Sequence, residues 1–536
     1  MDSRSTPGTT PRAGRKEWIG LLVLALPAML LAMDMTVLYL AVPHLSADLN
    51  PSSSQLLWIL DIYGFLVAGF LITMGTVGDR IGRRKLLMIG GTAFALASIA
   101  AAFSTSADML IVTRAILGIA GATLMPSTLA LIRNMFHDEA QRTTAIAAWM
   151  SSFMIGSIIG PLVGGAMLEN FWWGSVFLLA VPAMILLLVT GPILLPEYRD
   201  PNPGRMDLTS VVLSLTAVIS TIYGIKELAK DGLELVPVLT IVAGLAIGTV
   251  FARRQTSLEN PLLDLSLFAN RKFSASLGTL TLALFAMSGV MLFLAQYLQL
   301  VVGLTPFEAG LWTLPQAGSM IVATFVTSPL ARRFGPAWVM TAGMLIAVIG
   351  LSMLSQLDGS SDLALLIAGQ AVMSIGFGPT VILGIDMIVG AAPPERAGAA
   401  SAISETSQEF GFAIGVAILG SIGSAVYRRS LTDSIPEGIP GEARQVSLDT
   451  LGGALEIAEQ LPPALGPELI SAARDAFTQA LQFNVTVAAV LGTMAALVPV
   501  LFLRHVRPAS ELMAEAAAST DTVPGDVQPR PTASSD

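Results

Sequence analysis

LLAMDMTVLYLAVP, residues Leu30–Pro43, is apolar enough to lie inside a bilayer, yet it carries a carboxylate, Asp34, near its centre. A charged side chain at membrane depth costs roughly 2.5–3.5 kcal/mol on insertion scales. Such a residue is expected to face protein rather than lipid and to have a use.

The 536 residues are 53% hydrophobic and 12% charged. Soluble domains carry about 25% charged residues, so this composition belongs to a polytopic membrane protein. Absence of cysteine excludes disulfides, thiol catalysis and thiolate metal sites. His44, His137 and His505 lie far apart in sequence and share no metal-ligand spacing. The formal net charge of −9 argues against nucleic acid as a partner. The first apolar run is far longer than the roughly 7–15-residue core of a signal peptide and is expected to stay as a membrane helix.

Residues 1–17 are polar and expected to be disordered, as is the tail 508–536. Between them fourteen apolar runs are long enough to span. Residues 18–195 are expected to form a six-helix bundle, 207–252 two additional helices, and 273–503 a second six-helix bundle. With an even number of spans, both termini share one side. That side has 22 basic residues in its loops and tails; the opposite loops have six, among them Lys226, Lys230 and Arg428. The asymmetry assigns both termini to the cytoplasm. The long loop 429–477 carries eight acids and two stretches of helical spacing separated by Pro462 and Pro463. It predicts a helical hairpin on the outer face, either a solvated cap or a gate for cations.

Four motifs carry more than hydropathy. Gly75-Thr-Val-Gly78-Asp79-Arg80-Ile-Gly82-Arg83-Arg84-Lys85 joins spans 2 and 3, with small residues for close approach and a basic cluster for the interface. A weaker echo, Leu330-Ala-Arg332-Arg333-Phe-Gly335, follows span 10 and points to a related second half. Arg114-Ala-Ile-Leu-Gly118-Ile-Ala-Gly121 places an arginine inside span 4. Gly156-Ser-Ile-Ile-Gly160-Pro161-Leu-Val-Gly164-Gly165 sets a flat stripe on span 5, which physically implies tight packing and no more. Together these resemble the signatures of the major facilitator superfamily of secondary transporters. Asp34-Met-Thr36-Val37…Pro43 and Trp58-Ile-Leu-Asp61-Ile-Tyr63 are similar to those of its fourteen-helix drug/proton antiporters, the QacA-like multidrug exporters. Tyr39 stands where that pattern has asparagine. The resemblance implies an all-α fold of two six-helix bundles plus two extra helices, a role for Arg114 in proton transfer, and export as the direction marked by the span 5 stripe; read as a buried charge alone, Arg114 fits a structural ion pair as well.

Five acids fall within spans: Asp34, Asp61, Asp386, Glu405 and Glu409. Glu405 and Glu409 stand one turn apart on one helix face, where both resist being charged together. The resemblance implies that Asp34, Asp61, Glu405 and Glu409 recognise cations or exchange protons. The acid that QacA-like exporters carry on span 10 is missing from Leu314–Met320 here. Trp58, Tyr63, Trp149, Phe153, Tyr297, Trp312, Phe377 and Phe410 offer π faces to an organic cation, or pack as ordinary membrane aromatics.

The expected protein is a proton-coupled exporter of lipophilic cations in a bacterial cytoplasmic membrane, acting as a monomer and driven by the proton gradient without a bound cofactor. A dedicated exporter of one antibiotic, lipid or metabolite is the alternative, and a non-transporting sensor a third reading. The chain presents no nucleophile–base–acid set and no phosphate-binding loop, so no enzyme is expected.

Overall fold

In a computed structural model the described residues are 12–199, 207–231, 234–258, 261–358, 363–393 and 396–505. Most of the expected disordered termini, residues 1–11 and 506–536, lie outside them, although the helix of span 1 already begins at Arg15. Among the described residues, fourteen helices are long and apolar enough to cross a membrane. Spans 1–6 are Arg15–Leu49, Ser53–Ile81, Arg83–Ala102, Ala107–Met135, Glu139–Asn170 and Ser175–Leu194. Spans 7 and 8 are Leu208–Leu228 and Leu235–Ser257. Spans 9–14 are Arg271–Val301, Pro306–Phe334, Pro336–Leu354, Leu363–Gly390, Ala399–Ser434 and Leu465–Phe502. With fourteen spans, the start of span 1 and the end of span 14 lie on one face, called terminal here; the opposite face is called distal.

The two bundles repeat one packing scheme. Span 1 packs on span 5, span 2 on span 4, and span 3 on spans 4 and 6. Span 9 packs on span 13, span 10 on span 12, and span 11 on spans 12 and 14. Each partner is shifted by eight spans. The bundles meet through span 2 against span 13 and span 5 against span 10, which is the same contact related by that shift. The echo between the two arginine loops has a backbone counterpart. Gly82 and Gly335 each turn one helix into the next at positive φ, +110° and +87°. A side chain there is strained, which explains glycine at both corners.

The span 5 stripe works as two seats. A Cβ on Gly156 would stand 2.2 Å from the Met29 carbonyl oxygen, and one on Gly164 would stand 2.4 Å from Val37. Span 1 thus lies directly on the stripe. The neighbouring Gly165 faces the backbone of Pro306 and Phe307 at the start of span 10, and Gly310 in turn faces the Pro161 carbonyl. The stripe therefore holds span 1 within its bundle and span 10 across the bundle boundary.

The loop after span 2 is tied to the end of span 6. Arg83 pairs with Asp79 at 2.6 Å, its amide donates to the Tyr198 carbonyl, and the Arg84 amide donates to Glu197. The acid of that motif thus faces an arginine of its own loop.

Two expectations change on the distal side. Gly441–Asp449 and Leu451–Gln460 are short helices, but the second arm of the expected hairpin is no separate element. Leu465–Phe502 runs as one helix into span 14, because Pro467 falls in its first turn, where proline is tolerated, and no further proline interrupts it before Pro499. Lys226, counted with the distal loops, is buried within the helix of span 7, which continues to Asp231. KELAKDG has no helix breaker before its glycine, so the turn comes later than hydropathy suggests.

Candidate functional site: an inter-bundle cavity flanked by two ion pairs

Span 4 brings Arg114 into the first bundle with its side chain almost fully buried. Gly118, one turn on, lets span 4 approach the Tyr63 backbone, where a Cβ would stand 2.6 Å from the carbonyl. That approach sets the guanidinium 4.5 Å from the centroid of the Tyr63 ring. Arg114 donates to Asp34 Oδ2 at 2.6 Å and, through Nε, to the Ile59 carbonyl at 3.2 Å. One side chain thus ties spans 1, 2 and 4. The planar, multi-donor guanidinium suits this three-way role better than an ammonium.

Asp61 of span 2 makes the second pair. Its Oδ2 lies 2.7 Å from the Lys226 ammonium of span 7, with both side chains out of solvent. The ammonium also stands 3.8 Å from the centroid of the Trp58 ring. Span 7 reaches this place because Ile222, Val218 and Ile225 pack with Phe65 of span 2 and with Phe410, Ala413 and Ala417 of span 13. The additional helix therefore covers the seam at which the two bundles meet.

Between the bundles is a narrow cavity of about 20 Å³, room for about one water. Span 1 lines it with Met35, Leu38 and Tyr39; span 2 with Leu60, Asp61, Tyr63 and Gly64; span 4 with Arg114; and span 13 with Glu409, Phe412, Ala413 and Val416. Among the described residues Glu409 has no ion-pair partner, and its Oε2 is buried without a hydrogen bond. The two aspartates marked by sequence are each countered by a cation of the chain. Glu409 is the carboxylate at the cavity wall that is not.

The sequence candidates separate in space. Asp61, Tyr63, Arg114 and Glu409 converge on the cavity. Asp34 lines a neighbouring pocket between spans 1 and 6 and meets the group only through Arg114. Glu405 is half-buried one turn nearer the terminal face, and Asp386 is exposed. Of the aromatics, Trp58 sits under Lys226 and Phe410 packs against Phe65 in the seam. Trp149, Tyr297 and Phe377 are buried in the helix core, Phe153 packs against it, and Trp312 is exposed. Sequence reading missed Lys226, and also Tyr39 and Phe412, whose rings lie 6.4 Å apart at the cavity wall. A lysine ending an apolar run resembles a loop charge; its one signal was unbroken helical sequence on both sides.

The bundles are held together toward the distal face. Gln299 donates to the Leu40 carbonyl at 3.1 Å, the Phe307 amide to Glu169 at 3.3 Å, and Arg428 to Ser53 at 3.4 Å. The distal loop adds a cover: Arg428 pairs with Asp449, Tyr427 donates to the Ser447 carbonyl, and Gly452 rests on Ser46. These contacts close the distal side of the bundle interface.

Outside the spans, Asp207 caps span 7 and receives two hydrogen bonds from Arg254 of span 8, at 3.0 and 3.1 Å. Arg254 is the main cause that holds its carboxyl down at about 2, with Ser210 assisting. This pair clasps the additional helices at the terminal face.

Two repeated six-helix bundles around one central cavity define a transporter of the alternating-access class. The chain belongs to the Major Facilitator Superfamily, whose sequence model matches residues 24–289 and 276–430. It is 43% identical over 493 residues to the multidrug efflux pump LfrA of Mycolicibacterium smegmatis, covering 92% of this chain and 97% of that one. It is 36% identical to the methyl viologen resistance protein SmvA of Salmonella typhimurium, covering 86% and 93%. The tetracenomycin C resistance and export protein of Streptomyces glaucescens is 29% identical, over 95% and 96%. Among solved structures, a bacterial homologue of the lysosomal transporter Spinster, inward-facing and unoccupied, matches with a TM-score of 0.64 at 18% identity, over 92% and 98%. That likeness supports the fold.

Proposed function

We propose that this protein exports lipophilic organic cations across a bacterial cytoplasmic membrane in exchange for protons, with both termini in the cytoplasm. The observation that carries the reading is the cavity wall: Glu409, without an ion partner among the described residues, stands with Asp61 among Tyr39, Tyr63 and Phe412. A carboxylate supplies the counter-charge, and aromatic faces add cation–π attraction that grows as water is excluded. The carboxylate can hold either a proton or a cation, so occupancy by one excludes the other, which is the elementary requirement of exchange. Methyl viologen, named for the Salmonella relative, is an aromatic organic dication. Closure on the distal side leaves the cavity to be loaded from the cytoplasm, and rocking of the bundles would then release cargo outward.

The tetracenomycin exporter among the relatives supports a second reading, export of one product of the cell's own making. A proteoliposome assay tests both. Imposed proton gradients should drive movement of tetraphenylphosphonium, and adding the cation should release protons from purified protein. Transport indifferent to the gradient would reject the proton exchange, and transport of a neutral polycyclic compound with none of the cation would favour the second reading.

A further inference from the structure

Spans 7 and 8 stand outside the two repeats, and the proposed exchange gives them no task. Yet span 7 places an ammonium against the cavity wall. Lys226 is 2.7 Å from Asp61 Oδ2 and 3.8 Å from the centroid of the Trp58 ring, and the pair is shut off from solvent. A carboxylate and an aromatic face around an ammonium form the arrangement that recognises an organic cation. Asp61 also lines the cavity, so one carboxylate serves both the chain's own cation and any cation that enters.

We propose that Lys226 is a tethered competitor of the substrate: an incoming lipophilic monocation gains Asp61 and Trp58 as the lysine yields them, and the returning ammonium helps to expel it. This deepens the cation-export reading and rests on it. Lysine suits the task, being a compact charge on a flexible four-carbon stem, where an arginine fork would hold its carboxylate more rigidly. The additional helices thereby acquire a role: they carry a resident cation to a site that the twelve-helix core would leave as a bare buried acid.

The test is binding of tetraphenylphosphonium to the full-length protein in lipid nanodiscs, by calorimetry, for wild type, Lys226→Gln, Lys226→Arg and Asp61→Asn/Lys226→Gln. A site freely available only a tenth of the time binds about tenfold more weakly than its intrinsic affinity. Lys226→Gln should therefore bind the cation about tenfold more tightly, while its efflux saturates at lower concentration and lower maximal rate. Lys226→Arg should not gain affinity, and the double variant should lose the gain. A Kd for Lys226→Gln within about twofold of wild type, or weaker, overturns the proposal. If wild type binds no cation, binding gained by Lys226→Gln still supports it and none gained overturns it. Wild-type efflux separately decides the export reading. Should Lys226→Gln not remain monodisperse, Lys226→Met makes the same comparison with an apolar isostere.

Discussion

Arg114 of span 4 and Asp34 of span 1 meet at 2.6 Å, eighty residues apart in sequence, and join the helix of the Leu30–Pro43 stretch to the helix of the Arg114–Gly121 motif. The arginine side chain is 2% exposed and the aspartate 15%, so neither charge is well hydrated without the other. Removing one member leaves a buried charge unpaired, which typically costs about 3–5 kcal/mol; Asp34's residual exposure puts this pair near about 3 kcal/mol. Arg114→Gln and Asp34→Asn should each lower the thermal unfolding midpoint in detergent. The double variant should recover most of the loss, as a coupled pair requires. Efflux should stay impaired in the double variant, since Arg114 also holds Tyr63 and the Ile59 carbonyl. Single variants that unfold with wild type would show the pair to be energetically idle.

The seat for span 1 makes a sharper steric prediction. A Cβ at Gly156 would fall 2.2 Å from the Met29 carbonyl oxygen, a backbone atom that can move only with its helix. Gly156→Ala should destabilise by about 1–3 kcal/mol, the usual range for overpacking. Gly318, on span 10, has no heavy atom within 4 Å of the place a methyl group would take. Gly318→Ala should be neutral or stabilise by up to about 1 kcal/mol through helix propensity. Equal unfolding midpoints for the two variants would contradict the packing described.

The glycine stripe and the number of spans were legible because both are local patterns: apolar runs of membrane length, and small residues four apart. The acids on spans 1, 2 and 13 were legible for the same reason, a charge in an apolar run being conspicuous. Their partners were not. Arg114 was visible as an intramembrane charge, but nothing local couples it to Asp34 rather than to Asp61 or Glu409. Lys226 was hidden more thoroughly. At the end of an apolar run a lysine usually snorkels to the interface, and its direction is set by span 7 packing on spans 2 and 13. The second arm of the distal loop failed for the converse reason: a polar stretch can be the extension of a membrane helix beyond the bilayer, and hydropathy sees only the buried part.

The clasp between spans 7 and 8 should respond to acid. Asp207 titrates near about 2 in the folded protein, below the usual value of about 3.9 for an unfolded chain. A depressed folded value means that the carboxylate stabilises the fold at pH above about 4, and that this contribution fades as pH falls from about 4 through about 2. Arg254 is partly exposed and solvent screens the pair, so the contribution is small. Asp207→Asn should therefore unfold slightly earlier than wild type at pH 7, with the two midpoints drawing together as pH falls from about 4 and meeting only below about 2. A gap that persists undiminished in acid would place the effect in the cap on Ser210 instead.

The distal closure can be tested because the chain has no native cysteine to interfere. An ideal Cβ on Gly452, in the distal loop of the second half, stands 3.0 Å from the Cβ of Ser46 at the end of span 1. Disulfides accept Cβ separations of about 3.5–4.5 Å, so a shift of about half an ångström seats the bond. Ser46→Cys/Gly452→Cys should cross-link under mild oxidation, and the oxidised protein should still bind cargo but not turn over. Reductant should restore transport, and each single variant should transport throughout. If alternating access opens the distal face by parting span 1 from this loop, a covalent strap across that contact must stop the cycle with the cavity accessible from the other side. Full transport by the cross-linked protein would mean that the loop travels with span 1, and that the opening lies between spans 2 and 13 or spans 5 and 10 alone.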